Sequence, residues 1–148
     1  MSNRQDATIL VVAPSPITLL GTAGVLDSFG YTCFCARSGE AALQMPVESE
    51  VDAVVIDVGE DAEAALAVVA ELRKVRSNPD LPAIFIASTE WAGLEKRCEA
   101  MVSARCLFKP IDPNVLGDLV QQTLWMPQLA AAHRRRGTRP ARPGWVQL

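Results

Sequence analysis

One histidine and one tyrosine stand in a chain of 148 residues, and aromatic side chains make up only 5% of it. The histidine, His133, falls in an arginine-rich C-terminal segment, away from any stretch that reads as packed structure. No glycine-rich loop follows the first apolar run either. Ala13-Pro14-Ser15-Pro16 stands there and supplies few backbone donors for a phosphate. A nucleotide- or flavin-dependent enzyme is therefore not expected, and neither is other catalysis. No apolar run approaches the roughly 18 residues of a membrane helix, because charges or prolines interrupt each one. Residues Met1 to Ala7 are polar and of mixed charge, without the basic-then-apolar layout of a secretory leader, so a cytoplasmic location and no membrane contact are expected. The four cysteines, at 33, 35, 98 and 106, do not match zinc-knuckle spacing. They read as small buried apolar residues of a reducing compartment, with Cys33 and Cys35 on one face of a strand and Phe34 on the other.

What is present is enough to build one core. Apolar residues make up 49% and charged residues 21%, a balance that excludes wholesale disorder, and the length suits a single domain. The net charge of -3 conceals an asymmetry. Residues 126–148 carry five arginines and no acid, leaving nine bases against seventeen acids, or -8, in the rest. With three prolines and two glycines, that segment reads as a flexible basic tail after an arm over 1–7 and a folded domain over 8–125.

Within 8–125, short β-rich runs alternate with longer helical stretches, the pattern of a parallel sheet covered on both faces. Thr8 to Ala13 reads as a central strand buried on both sides. Ser15 caps a helix with Pro16 at its first position, Ile17 to Phe29 following until Gly30 stops it. Gly21 and Gly24 inside it reflect either close packing or a tolerated weakness. Tyr31 to Ala36 is the second strand, followed by a short helix near Glu40 to Gln44. Asp52 to Asp57 is the third strand, with a helix over Ala62 to Arg76 after it. Pro82 to Ala87 is the fourth, before a helix capped at Ser88-Thr89 and running to Met101. Arg105 to Lys109 is the fifth. A last helix starts at Asp112-Pro113, with Val115, Leu116, Leu119, Val120, Thr123 and Leu124 as its apolar stripe, and is expected to stop at Pro127. Trp91 is either a core anchor or part of a docking face.

Ligand groups in such sheets collect beyond the carboxyl ends of the strands. Those ends carry Asp57, Ala87-Ser88 and Lys109 here, a carboxylate and an ammonium with a hydroxyl beside them. The order and spacing of ILVV, YTCFCARSGEAAL, DAVVID, LPAIFIAS and LFKPIDPNVL resemble bacterial response-regulator receiver domains of the CheY-like kind over residues 8 to 125. The resemblance implies a flavodoxin-like, doubly wound α/β fold with a five-stranded parallel sheet in the order 2-1-3-4-5. It implies that Asp57 is the candidate phosphoacceptor, attacking a phosphohistidine, and that Lys109 pairs with the phosphoryl group. It places a cis peptide bond at Pro110, and the family's hydroxyl falls on Ala87, with Ser88 one place later as the candidate phosphoryl hydroxyl.

The match departs at the metal. The acid pair that receivers use for Mg2+ is Ala13-Pro14, so Asp57 alone remains and magnesium binding is expected to be weak, with no confident metal ligand. Glu60 and Asp61 read as solvated loop acids. The aromatic switch position holds Cys106, too small to report phosphorylation. Two readings follow. The favoured one is an atypical, stand-alone receiver in phosphorelay signalling that acts as an interaction module through its helix 4, strand 5 and helix 5 face. The alternative is a genuine receiver phosphorylated on Asp57 by a histidine kinase or phosphotransfer protein. The 23 residues after Trp125 are too few for an output domain, so output is expected through a partner, and the basic tail suits an acidic protein or nucleic acid.

Overall fold

The computed structural model describes residues 7–46, 49–88 and 93–135, with side chains as far as 124. Strands and helices alternate as β1 (Thr8–Val12), α1 (Pro16–Ser28), β2 (Thr32–Ala36), α2 (Gly39–Leu43), β3 (Ala53–Asp57), α3 (Ala62–Val75), β4 (Ala83–Ala87), α4 (Leu94–Glu99), β5 (Ala104–Phe108) and α5 (Pro113–Arg135). The five strands form one parallel sheet in the order β2-β1-β3-β4-β5. It is a doubly wound α/β fold: α1 and α5 cover one face, while α2, α3 and α4 cover the other.

Burial follows position in the sheet. β4 and the first four residues of β3 are buried, as continuously apolar interior strands must be. β3 holds the middle, so β1, read as central, lies one place to its side between β2 and β3. β2 is an edge strand, and this overturns part of the cysteine reading. Cys33 packs partly against the layer under α1 and α5, but Cys35 is exposed because no further strand covers that edge. Cys98 is buried and Cys106 half-buried, as small apolar residues are.

Helix ends obey local chemistry. The Ser15 hydroxyl accepts from the Thr18 N–H at the start of α1, and Ser38 and Asp61 do the same for α2 and α3. Asp112 Oδ1 accepts from the Asn114 N–H at 2.8 Å, and Pro113 takes the first position of α5, where its missing donor costs nothing. The described part of α4 is six residues long, with Gly93 at its N-cap and no side-chain cap bond. The expected cap at Thr89 and Trp91, read as a core anchor or part of a docking face, lie outside the described residues, as do Met1 to Asp6 and 136–148.

Helix α5 differs from expectation at two points. It continues through Pro127 to Arg135, so the segment read as a flexible tail from 126 is helical over its first part. A proline removes one backbone bond and costs about 3 kcal/mol, but Leu129 to Arg135 is rich in alanine and arginine, strong helix formers. Within the stripe, Leu116, Val120, Thr123 and Leu124 are buried, whereas Val115 is 46% exposed on the flank of the helix.

The glycines resolve the alternative left open in α1. A side chain at Gly21 or Gly24 would meet nothing within 4 Å, so neither glycine is required by packing. Gly117 in α5 is the opposite case, because a Cβ there would lie 2.5 Å from the Phe29 ring. Gly24→Ala should raise stability by about 1 kcal/mol in urea unfolding. Gly117→Ala should lower it by about 1 kcal/mol or more, as overpacking outweighs the propensity gain. A stabilising Gly117→Ala would refute the close α1–α5 contact.

Thiol reactivity should track the same layering. Burial, followed by the neighbouring Cys106, pushes the Cys98 thiol up to about 12, and burial pushes Cys33 up to about 11. Raised values keep both thiols neutral and unreactive at pH 8. Brief iodoacetamide treatment of the native protein at that pH should label exposed Cys35 and spare Cys98 until denaturant is added; peptide mass mapping reads the outcome, and native labelling of Cys98 would contradict this core.

Candidate functional site at the carboxyl end of the sheet

Two strand ends define the site. Asp57 closes β3 in register with Ile86 of β4. Phe108 closes β5 opposite Ala87, and the next residue, Lys109, donates its N–H to the Ala87 carbonyl at 2.8 Å. The Lys109 side chain thereby spans β4 and sets Nζ 2.9 Å from Asp57 Oδ2. The peptide bond between Lys109 and Pro110 is cis.

Both carboxylate oxygens have partners. Oδ1 accepts the Gly59 N–H at 2.8 Å in a tight turn that places Gly59 at φ +60, a conformation glycine adopts without penalty. The Asp57 side chain is 7% exposed and that of Lys109 42%. A half-exposed ammonium weakens the pair, which should contribute about 1 kcal/mol, yet a desolvated carboxylate without its cation would be disfavoured.

The rest of the rim is less polar. Ala13 is buried and bonds through its N–H to the Ala36 carbonyl, while exposed Pro14 offers its carbonyl to Arg37 Nη2 at 3.4 Å. Ala87 is buried in the layer beneath α3 and α4, so that register position carries no hydroxyl. Ser88 follows at once and is half-buried. Asp61 is committed to capping α3 through the Ala64 N–H at 3.0 Å, and Glu60 is exposed in the loop. Cys106 lies one layer down in β5, packed against the core that includes Cys98.

Sequence reasoning missed Gly59, although the Asp57-Val58-Gly59 run is itself a signal: an aspartate two residues before a glycine closes its own backbone turn. It also missed Arg37, for which no local pattern exists. Two large apolar side chains stand exposed on α1, Ile17 at 84% and Leu20 at 69%.

The response-regulator receiver domain protein of Clostridium thermocellum superposes with a TM-score of 0.72 at 18% identity, covering 83% of this chain and 98% of that one. A response-regulator receiver protein of Sinorhizobium medicae gives 0.66 at 24% identity over 82% and 97%. The chain has the receiver-domain fold. Its structural neighbours are CheY-like response-regulator receiver domains. Among curated proteins, the sensor histidine kinase RcsC of Escherichia coli K12 is 30% identical over 124 residues, 84% of this chain. The chain spans 12% of that kinase's length. No family model matches the chain.

The Asp57–Lys109 contact of this receiver fold is measurable by a double-mutant cycle. Asp57→Asn, Lys109→Gln and the pair should show a coupling of about 1 kcal/mol in urea unfolding, favourable to the native pair. Strict additivity would show that the contact does not persist in solution.

Proposed function

We propose that this chain is a receiver module of two-component phosphorelay signalling that acts chiefly as an interaction module, with weak or no Mg2+-dependent phosphorylation of Asp57. The observation that carries the reading is the engagement of both Asp57 oxygens, Oδ2 by Lys109 and Oδ1 by the Gly59 N–H. The rim's donor chemistry supports it. Mg2+ takes oxygen ligands in near-octahedral geometry, and the two positions where receivers place acids hold a buried methyl group at Ala13 and a proline ring at Pro14. These residues do not suit the ion. Among the described residues, no cluster of three or more His, Cys, Asp or Glu side chains is placed to hold a metal. Cys106, where the resembling domains carry their aromatic switch, offers no large ring to relocate.

The partner in this reading is a protein, a histidine kinase or phosphotransfer protein, contacted through the face formed by α4, β5 and α5. Val102, between α4 and β5, and Val115, on α5, are both about half exposed. The basic segment after residue 125 adds an electrostatic contact to an acidic partner or nucleic acid. Among the described residues no helix is long and apolar enough to cross a membrane.

Incubation with acetyl phosphate and Mg2+ followed by intact-mass measurement tests the proposal. The mass should stay unchanged under conditions that phosphorylate an ordinary receiver run in parallel. Gain of one phosphoryl group, lost in Asp57→Asn, would establish the phosphoacceptor instead.

A further inference from the structure

Beside the Asp57–Lys109 pair, on the sheet face covered by α1 and α5, lies a cavity of about 330 Å³ that is open to solvent along exposed Gly21. One wall is α1, where Gly21 contributes no side chain and Thr18 and Thr22 stand half-buried. Buried Ile86 and Leu116 line it from the sheet and α5, and Lys109 contributes from the rim. That volume falls at the small end of the range for small-molecule sites, about 300–1,000 Å³, and a mostly apolar lining with one placed charge is their usual make-up.

We infer that this cavity is a binding site for a small amphipathic monocarboxylate, whose apolar body fills the space left open by Gly21 and whose carboxylate meets the Lys109 ammonium. Charge selects the class. Asp57 Oδ2 takes one of the three donors of Nζ, and the side chain, 42% exposed, also lines the cavity. Among the cavity's lining residues, Lys109 is the one that carries a charge. Size limits the occupant to a single ring or a short branched chain. A ligand carboxylate here takes a further donor of the ammonium while Asp57 keeps its own, so occupancy is felt at the rim through the shared Nζ. This site stands whether or not Asp57 accepts a phosphoryl group.

Gly21 provides the decisive variant. A Cβ there meets no atom within 4 Å and leucine is the better helix former, so Gly21→Leu should fold while its longer side chain occupies the cavity, and urea unfolding of the variant checks that it does. Phenylacetate and its neutral isostere phenylacetamide are titrated into the 15N-labelled protein and followed by amide shifts. Phenylacetate should bind saturably with a dissociation constant below about 10 mM, at least about tenfold tighter than phenylacetamide. Shifts should centre on Gly21, Thr22 and Lys109. Lys109→Gln should abolish the preference for the acid, and Gly21→Leu should weaken both compounds by about tenfold or more. Absence of saturable binding, equal affinity for acid and amide, or undiminished binding to Gly21→Leu would each overturn the assignment.

Discussion

The site depends on one ion pair between residues 52 positions apart in the chain, and that pair depends on strand register. Asp57 and Lys109 meet because β3, β4 and β5 run parallel and in step, with Asp57 opposite Ile86 and Ala87 opposite Phe108. Side chains alternate faces along a strand, so a slip of one residue in β3 would turn Asp57 into the apolar layer and Ile56 out of it. The buried runs Ala53 to Ile56 and Ala83 to Ala87 prevent this, since any slip would misplace both layers together. Hydrophobic burial thus specifies the position of a charge that contributes little to stability itself.

The balance of interactions at Asp57 shows how the charge at the rim is met with Ala13 and Pro14 after β1. With carboxylates after β1, the rim would hold an excess of negative charge and need a divalent ion to relieve it. With Ala13 and Pro14 there, one ammonium offsets one carboxylate locally, and a backbone N–H satisfies the second oxygen. Under the proposed reading, these paired groups offer a dication little to replace, because each new metal–oxygen contact would break an existing bond.

Much of this was legible in sequence because the decisive signals are local. Ser15-Pro16 marks a helix start, apolar runs bounded by turn residues mark interior strands, and their alternation leaves little choice but a parallel sheet. What escaped reading depended on tertiary context. Whether Gly21 and Gly24 serve packing was undecidable without neighbours, and the same residue type has open space beside it there and the Phe29 ring against it at Gly117. Cys35 looked like Cys33 until β2 was seen at the edge of the sheet. Pro127 looked like a stop because one strong breaker outweighs its neighbours in a local reading, whereas the summed propensity of the following residues carries the helix on. At the rim, positions 57 and 109 were readable as strand ends, but Gly59 needed the turn chemistry of its own tripeptide and Arg37 needed the fold.

The small residue at 106 constrains how a change at the rim would travel. A rotating aromatic ring on β5 would link the rim to the α4 face by exchanging a buried for an exposed position. Cys106 has neither the length nor the volume for this, and its neighbour Cys98, 2% exposed, ties it to the α4 side of the core. Lys109 offers the remaining route. Its side chain touches Asp57 on one side and the cavity between α1 and α5 on the other, so displacement of the ammonium alters both at once. Phe29 fits against Gly117 with no room for a methyl group, and a core this close-packed shifts between discrete arrangements instead of deforming gradually. The ammonium therefore couples the rim to the layer under α1 and α5 as well as to the end of β5.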